Sequence, residues 1–294
     1  MSADGLLVVD KPAGMTSHDV VARVRRALGI RKVGHAGTLD PMATGVLVLG
    51  VGRATRLLGY VSGADKDYLA TIRLGQATFT DDAEGEVTAE SSAASVTTQT
   101  VAAGVTALTG DLLQVPSTVS AIKVGGERAY RRARSGETVD LPARPVRVSR
   151  FDVIDLTRPT PDLVDLAVGV TCSSGTYVRA LARDLGEALG VGGHLTALRR
   201  TRVGGFDVSG AHTLTGLTGP DDLTSLDAAV GASFPRLDVD ATDALAVGHG
   251  RPLPIPTPAP TPVGPIGVFG PDGHVVALVA PRDGYLRVVL GLVG

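Results

Sequence analysis

Cysteine and aromatic residues are scarce in this chain. Cys172 is the single cysteine among 294 residues, tryptophan is absent, and aromatic residues make up 3%. One cysteine cannot form an internal disulfide, and no CxxC or paired His/Cys spacing indicates a zinc site. The six histidines are too scattered along the chain to predict a metal site. We therefore expect no bound metal, a core of valine, leucine and alanine, and a reducing compartment.

Long apolar runs and several well-known catalytic motifs are also missing. No apolar segment is long enough to span a bilayer, and the N-terminus lacks the basic region and apolar stretch of a signal peptide. The patterns GxxxxGK[ST], strand-linked GxGxxG, GxSxG and HExxH do not occur. These absences predict a soluble cytoplasmic protein without a membrane partner or an organic cofactor.

Charge is unevenly distributed along the chain. The formal net charge of -2 argues by itself against a nucleic-acid partner. Residues 1–210, however, hold 24 of the 28 lysines and arginines and 22 of the 30 acids, and the basic residues cluster at 23–32, 128–150 and 199–202. Each cluster fits either a solvated surface or a surface that contacts phosphates, and composition leaves both interpretations open.

The hydrophobic pattern alternates between short strands and short helices, which is typical of an α+β fold. Thr16 and Asp19 predict a capping box at the start of a helix that Gly29 ends. Seven prolines between residues 251 and 265 exclude a helix or a central strand there. Strands are predicted at residues 6–9, 67–75, 163–170, 266–269, 275–279 and 286–290, helices at 17–28, 52–58, 101–109, 178–189 and 239–250, and a strand or short buried helix at 46–49.

One carboxylate is distinguished by its surroundings. Asp40 lies in the segment 33–45, where glycines allow close approach of a substrate to the backbone and Pro41 favours an extended conformation. The segment fits an acid presented from a loop, and it fits a polar turn that enters a core strand equally well. Without a cofactor motif, Asp40 together with Tyr68 and Arg179 favours covalent or acid–base chemistry by a carboxylate that an arginine holds.

Five segments, taken together and in order, resemble the TruB family of bacterial tRNA pseudouridine synthases. The resemblance spans most of residues 6–206. One departure is Met42, which stands where leucine is common in the family and conserves the side-chain volume. The segments are residues 9–17 (VDKPAGMTS), residues 34–45 (GHAGTLDPMATG), Tyr68 with residues 73–75, residues 116–123 with Tyr130, and residues 172–185 with residues 194–200.

The resemblance implies an architecture. It implies a catalytic domain at residues 1–232 with a central mixed, mostly antiparallel sheet flanked by helices and an RNA cleft across one face. A small β-rich, PUA-like RNA-binding domain would follow at residues 235–294, interrupted by a proline-rich insert at 252–265. The family works without a metal or an organic cofactor, because the isomerisation neither gains nor loses electrons.

The resemblance also implies a reaction and the residues that perform it. The substrate would be uridine 55 in the T loop of tRNA, flipped out of its stack, with the T-arm stem-loop as the partner. Nothing in the sequence demands more than a monomer. Asp40 would be the nucleophile, attacking either C6 of uracil or C1′ of the ribose. Arg179 would pair with Asp40 and aim it, and Tyr68 would stack on the target base and assist removal of the C5 proton.

Further residues are implied in binding. Tyr177 and Leu198 would line the uracil pocket, and His35 would contact flipped loop nucleotides. RNA phosphates are expected at the basic clusters, with these candidates: Arg23, Arg26, Lys32, Arg131, Arg132, Arg199 and Arg200. Two other functions stay open, a tRNA-binding or tRNA-folding protein with secondary or no catalysis, and an aspartate-dependent hydrolase of a small substrate, against which the arginine clusters count.

Overall fold

The computed structural model describes residues 4–117, 123, 124, 127, 128, 141–256 and 264–292. The helices are α1 (Ser17–Leu28), α2 (Leu58–Ser62), α3 (Thr98–Ala107), α4 (Val178–Ala188), α5 (Leu226–Ser233) and α6 (Ala241–Gly248), with 3-10 segments at Gly52–Leu57, Val208–Gly210 and Pro220–Asp222. The strands are β1 (Gly5–Lys11), β2 (Val33–His35), β3 (Thr44–Val51), β4 (Lys66–Leu74), β5 (Gln76–Thr78), β6 (Val87–Glu90), β7 (Gly110–Gln114), β8 (Lys123–Val124), β9 (Glu127–Arg128), β10 (Arg144–Thr160), β11 (Leu163–Cys172), β12 (Gly193–Val203), β13 (Phe206–Asp207), β14 (Thr224–Ser225), β15 (Arg236–Asp238), β16 (Leu253–Pro254), β17 (Ile266–Phe269), β18 (Val275–Arg282) and β19 (Tyr285–Gly291).

One large mixed sheet carries most of the described chain. Its strands follow the order β14-β1-β3-β12-β4-β11-β10-β7, with β2 paired to β3 and β13 paired to β12. Among the described strands of this sheet the pairing is antiparallel, except between β3 and β12, where Thr44 lies opposite Arg199 and Gly45 opposite Arg200. The predicted α+β fold with a central mixed, mostly antiparallel sheet is confirmed.

Local sequence signals explain several of these elements. The Thr16 side chain accepts a hydrogen bond from the backbone N–H of Asp19, whose carboxylate accepts one from the backbone N–H of Thr16, so the predicted capping box closes α1. Gly29 ends the helix in the left-handed conformation that glycine adopts without strain. In β4 the burial alternates, with Tyr68 buried and Leu69 exposed, because successive side chains point to opposite faces.

The helices α1 and α4 cover one face of the large sheet. Val20 and Val24 of α1 and Leu181 of α4 join Tyr68 and Ile72 of β4 in one hydrophobic core. This core lies on the face to which the buried side chains of β4 point. Tyr68 therefore faces the helical layer, and Arg179 at the start of α4 comes from the same side.

A second, five-stranded sheet follows from Arg236 onward, in the order β15-β17-β18-β19-β16. It confirms the predicted β-rich C-terminal part and the predicted hairpin of β17 and β18. Pro254 belongs to β16 at the edge of this sheet, the position where a residue without a backbone N–H is tolerated. Residues 257–263 of the predicted proline-rich insert lie outside the described residues.

The two sheets share a hydrophobic cluster. Leu57 before α2 and Val230 in α5 contact Phe269, Val275 and Leu278 of the second sheet. The Tyr60 hydroxyl also donates a hydrogen bond to the Val289 carbonyl, 3.1 Å away. The predicted division at residues 232–235 stays a prediction. Each side of it has a hydrophobic core of its own, and this third cluster packs the two sides against each other.

Some elements differ from those that the pattern predicts. The 17-residue strand β10 has no clear alternation and was not predicted; it is held along most of its length by pairing with β11. Residues 46–49 were predicted to form either a strand or a short buried helix, and they are part of strand β3. None of the described helices has both the length and the apolar character needed to cross a membrane.

Candidate active site

An ion pair between distant parts of the chain forms the centre of the site. The Arg179 guanidinium donates from Nε to Oδ2 of Asp40 at 3.0 Å and from Nη2 to Oδ1 at 3.2 Å. Arg179 is 4% exposed, whereas the Asp40 side chain is 34% exposed. The fork of two hydrogen bonds fixes the plane of the carboxylate while leaving it accessible. The structure thus brings together the two groups that were predicted to pair.

A second acid stands behind Arg179. Asp82 is buried, and its Oδ2 lies 3.6 Å from Nε of Arg179. Nη1 of Arg179 donates to the Thr80 carbonyl at 2.8 Å, and the backbone N–H of Glu84 donates to Oδ1 of Asp82 at 3.0 Å. The Thr80 carbonyl fixes Nη1, the terminal nitrogen that takes no part in the Asp40 fork, and Asp82 adds a second negative charge beside Nε, so both orient the guanidinium. No local sequence signal distinguishes Asp82, since acids in a polar segment give no indication of burial.

Side chains from the first 17 residues hold the Asp40 loop from the other side. The buried Lys11 ammonium donates to the carbonyls of Met15 at 2.6 Å, Pro12 at 2.9 Å and Pro41 at 3.2 Å. Burial lowers the pKa of Lys11 to about 8, and the nearby Asp40 carboxylate opposes that shift. These contacts fix the backbone on the C-terminal side of Asp40.

The residue before Asp40 is clamped as well. The buried Ser17 hydroxyl accepts a hydrogen bond from the Leu39 backbone N–H at 2.9 Å, and it lies 3.2 Å from the Leu39 carbonyl, to which it donates. Ser17 is the first residue of α1, so the helix itself positions the loop. Both neighbours of Asp40 are therefore fixed by buried groups, which makes the loop a rigid support for the acid.

Arg200 lies beneath this loop and corrects a prediction. It was expected on an RNA-contacting surface, but its side chain is 1% exposed. Its guanidinium donates to the carbonyls of Val46 at 2.7 Å, Gly37 at 3.1 Å and Thr38 at 3.4 Å. A run of charged residues in the sequence does not show which side chains point inward. Successive side chains of β12 point to opposite faces of the sheet, so Arg200 points to the buried face while Arg199 does not.

Gly45 allows β3 to approach β12 closely. Its φ is +99°, and a Cβ at this position would lie 2.1 Å from the carbonyl oxygen of Arg200. A side chain would therefore clash with the backbone of β12 as well as strain its own backbone. The glycine permits the parallel contact that carries Arg200 to the underside of the Asp40 loop.

A cavity of about 260 Å³ opens beside the ion pair. Tyr68, Tyr177 and Leu198, which were predicted to surround a base, all line it together with Asp40 and Arg179. Burial raises the pKa of Tyr68, so its phenol stays neutral at physiological pH. The other lining residues are Gly37, Thr38, Leu39, Ser62, Lys66, Ser174, Gly175, Thr176, Val178 and Arg200.

Tyr177 is fixed through its backbone. The buried Gln114 side chain donates from Nε2 to the Tyr177 carbonyl at 3.1 Å, and its Oε1 accepts a hydrogen bond from the Tyr177 N–H at 2.8 Å. This pair joins the end of β7 to the start of α4. A glutamine at the end of a strand offered no sequence signal for such a role.

His35 lies apart from the lining of this cavity. It is on β2, half-buried, and its ring packs edge-on against His18 with the centroids 5.5 Å apart. Burial and the charges of His18 and Arg200 lower the pKa of His35, so the ring is neutral at physiological pH. Its predicted contact with loop nucleotides stays a prediction. Among the described residues, no cluster of three or more His, Cys, Asp or Glu could hold a metal ion.

The remaining predicted RNA contacts fall into groups. Arg23, Arg26 and Lys32 are exposed. Arg199 pairs with Asp10, its Nη2 lying 2.7 Å from Oδ2, and the fold brings Arg199 and Arg23 into one cleft of about 320 Å³, whose other lining residues are Asp10, Lys11, Pro12, Thr44, Thr213, Leu214 and Thr215. Arg131 and Arg132 lie outside the described residues.

Comparison with protein-family models gives three matches. The model described as TruB family pseudouridylate synthase (N terminal domain) matches residues 25–178. The model described as tRNA pseudouridylate synthase B C-terminal domain matches residues 179–224. The model described as tRNA Pseudouridine synthase II, C terminal, matches residues 234–293. The three matches follow one another along the chain and cover most of it.

Curated relatives match over nearly their whole length. The tRNA pseudouridine synthase B of Mycobacterium avium is 59% identical over 298 residues, which covers 99% of this chain and 96% of the relative. The protein of that name from Thermobifida fusca is 57% identical over 295 residues, covering 99% of each chain. That from Streptomyces coelicolor is 56% identical over 285 residues, covering 96% of this chain and 94% of the relative.

Two solved structures share the fold at low sequence identity. An H/ACA RNP bound to a substrate RNA containing 2′-deoxyuridine aligns with a TM-score of 0.73 at 23% identity, covering 99% of this chain and 86% of that chain. A Cbf5–Nop10–Gar1 complex aligns with a TM-score of 0.71 at 24% identity, covering 97% of this chain and 83% of that chain. At this sequence identity the two alignments show a shared fold and nothing further.

Proposed function

The chain belongs to the TruB family of pseudouridylate synthases, and from this premise we propose that it isomerises uridine 55 in the T loop of tRNA with Asp40 as the nucleophile. It is a tRNA pseudouridine synthase, an isomerase. The observation that carries the proposed mechanism is the accessible Asp40 carboxylate, held in a two-bond fork by a buried arginine at the mouth of a cavity.

The proposed reaction begins with a uridine that has left its stack and entered the cavity. Tyr68, Tyr177 and Leu198 supply aromatic and apolar walls for a flat base. The Asp40 carboxylate then forms a bond either to C6 of uracil or to C1′ of the ribose, and Arg179 keeps it aimed throughout. Both routes use the carboxylate in the position that the fork gives it.

The rest of the reaction rearranges the same atoms. The bond between C1′ and N1 breaks with its electron pair remaining on the base, the base turns, and C5 forms the new bond to C1′. The bond to Asp40 breaks with its electron pair returning to the carboxylate, as C5 attacks on the C1′ route or afterwards on the C6 route. The hydrogen on C5 then leaves as a proton and N1 takes one up, so the product is an isomer of the substrate. Tyr68 is proposed to stack on the base and to assist removal of that proton, because its phenol lines the cavity.

The T-arm stem-loop is the proposed partner. The exposed cations Arg23, Arg26 and Lys32 surround the edge of α1 and the segment after it, and Arg23 shares a cleft with Arg199. Cations at such an edge attract a phosphate backbone irrespective of base sequence. Action as a monomer and the cytoplasmic location both stay predictions.

An Asp40→Asn variant tests the assignment of the nucleophile. We expect it to lose pseudouridine formation by more than about 10⁴-fold, the order found when an essential catalytic group is removed, while its Kd for a T-arm stem-loop changes little. The matched control is Asp111→Asn, at an exposed aspartate that lies outside the cavity, which should leave both quantities unchanged. Mapping pseudouridine in the treated RNA is the measurement.

The result also separates the enzyme from a protein that only binds or refolds tRNA. If wild-type protein binds the stem-loop but leaves uridine 55 unmodified, the binding protein is the better description. If Asp40→Asn still converts uridine, the nucleophile is another residue. A conversion at a different uridine would retain the reaction and move the proposed target.

A further inference from the structure

Two buried cations line the cavity without an acidic partner among the described residues. Lys66 is 6% exposed and Arg200 is 1% exposed. The Lys66 ammonium donates to the carbonyls of Ser62 at 2.9 Å and Ala64 at 2.7 Å. Arg200 donates to three backbone carbonyls and also hydrogen-bonds the Tyr68 side chain. Both side chains nevertheless belong to the wall of the cavity that holds Asp40.

The two cations converge on one point of the Asp40 loop. A Cβ built on Gly37 would lie 3.7 Å from Nη1 of Arg200 and 3.8 Å from Cε of Lys66. Gly37 has a φ of +93°, so the loop passes there without a side chain between the two. The acids of the site, Asp40 and Asp82, are instead engaged by Arg179. The wall of the cavity therefore holds one acid, which Arg179 pairs, and two buried cations that form no ion pair among the described residues.

Uncompensated charge of this kind is costly to bury. Moving an ammonium out of water is unfavourable by several kcal/mol even after the protein relaxes around it, and carbonyl dipoles recover only part of that. Burial first, and the charge of Arg200 second, lower the pKa of Lys66 to about 8. Such an arrangement is stabilised when an anion enters the cavity, because the anion supplies the missing counter-charge.

We propose that Lys66 is a further catalytic residue, whose ammonium, with Arg200 beside it, contacts and stabilises the negative charge that develops on the carbonyl oxygens of the target uracil. The inference rests on the proposed function, since it takes uridine as the occupant of the cavity. It assigns to the chain's own residues the task of stabilising the charge that the reaction creates.

The electron balance of the reaction shows where that charge appears. When Asp40 attacks C6, the electron pair of the C5–C6 double bond moves toward O4. When Asp40 attacks C1′, the pair of the C1′–N1 bond stays on the base and is shared between O2 and O4. In both cases the base carries negative charge before C5 forms its bond to C1′; the later loss of the C5 proton is balanced by uptake of a proton at N1. A cation facing the base is therefore useful on either route.

A purely structural role for Lys66 makes a different prediction. Its two carbonyl partners lie at and just after the end of α2, so the ammonium also closes that helix. A helix-closing lysine would affect stability but not the rate of the chemical step. A lysine that contacts a phosphate of bound RNA would affect affinity and its salt dependence instead.

Lys66→Met and Lys66→Arg separate these roles. We expect Lys66→Met to lower the single-turnover rate of pseudouridine formation by about 10²-fold, the order found when one such donor is removed, with a Kd for the T-arm stem-loop within about 3-fold of wild type. Lys66→Arg, which keeps the positive charge, should restore the rate to within about 10-fold of wild type. The matched control is Arg56→Met, at an exposed basic residue outside the cavity.

The pH profile supplies a second readout. Because the ammonium acts in its protonated form, the wild-type rate should fall as pH rises through about 8, the pKa of Lys66. The groups that face Lys66 are Arg200 of β12, Cys172 of β11 and Asp65 before β4; burial raises the pKa of Cys172 to about 11, so it stays protonated in this range. In Lys66→Arg the alkaline fall should move to higher pH. This readout applies even if Lys66→Met fails to fold.

Several results would overturn the inference. A single-turnover rate in Lys66→Met equal to that of wild type would do so, as would a Kd raised tenfold or more with an unchanged rate, because either outcome makes Lys66 structural or phosphate-binding. An alkaline fall that stays near pH 8 in Lys66→Arg would assign the titration to Lys11, whose pKa is also about 8. If the wild-type protein forms no pseudouridine, the proposed function itself is contradicted. The variant results above presuppose an active wild type, so they test the role of Lys66 and not the proposed function.

Discussion

The fork between Arg179 and Asp40 depends on the shape of the guanidinium as well as on its charge. A lysine at this position would keep a positive charge but could offer only a single point contact to the carboxylate. We therefore expect Arg179→Lys to lower the single-turnover rate by about 10²-fold, because a misplaced reacting group costs that much, with little change in RNA affinity. Arg183→Lys is the matched control, since Arg183 lies one turn further along α4 and pairs with Asp184 and Asp81. Equal losses in the two variants would indicate damage to α4 rather than to the fork.

The site residues that sequence could predict are those that resemble a family pattern or are chemically conspicuous. Asp40, Tyr68, Tyr177, Arg179 and Leu198 come together around one cavity as expected. Asp82, Lys66 and Gln114 were missed, because burial and contact with backbone carbonyls depend on which strands become neighbours. Arg200 was placed on the wrong side of its strand for the same reason, since a run of arginines does not reveal its own register.

The helix α1 contributes to the site from both of its faces. Ser17 points inward to the Asp40 loop, whereas Arg23 points to the cleft that it shares with Arg199. If a phosphate of the stem-loop lies in this cleft, Arg23→Ala should flatten the plot of log Kd against log salt by about 0.7–0.9 units. The matched control is Arg56→Ala, an exposed arginine outside the cleft, for which we expect no change in slope. An unchanged slope in Arg23→Ala would make this face of α1 an ordinary solvated surface.

Elements with local signals were predictable, and elements that depend on distant pairing were not. Short stretches of sequence determine the capping box of α1, the end of that helix at Gly29 and the hairpin of β17 and β18. β10 has prolines, charged residues and no regular alternation, and it exists as a long strand because β11 pairs with it over many residues. The parallel contact of β3 with β12 likewise joins segments more than 150 residues apart, which no local pattern could indicate.

The second sheet is coupled to the catalytic part through packing as well as through the chain. Besides the shared hydrophobic cluster, Asp227 of α5 accepts a hydrogen bond from the Val275 N–H at 2.6 Å and contacts His274 Nδ1 at 2.9 Å. The 3-10 segment that contains Leu57 leads into α2, whose end Lys66 closes beside the cavity. Loss of the second sheet would therefore disturb the support of the active site, in addition to any RNA contacts that the sheet makes.

Phe269 provides a direct test of this coupling. It is fully buried in the shared cluster with Leu57 and Val230, and the Arg236 guanidinium lies 3.9 Å from its ring centroid. Phe269→Ala should lower the free energy of unfolding by about 3–5 kcal/mol, since it leaves a large cavity in a core. Because the cluster joins both sheets, the protein should still unfold in a single transition in urea, followed by circular dichroism and by loss of pseudouridine formation. The matched control is Phe79→Ala, at a phenylalanine that is 44% exposed, where the change should stay within about 0.5 kcal/mol. Two separate transitions, with activity persisting after the first, would show that the catalytic part is stable without its neighbour.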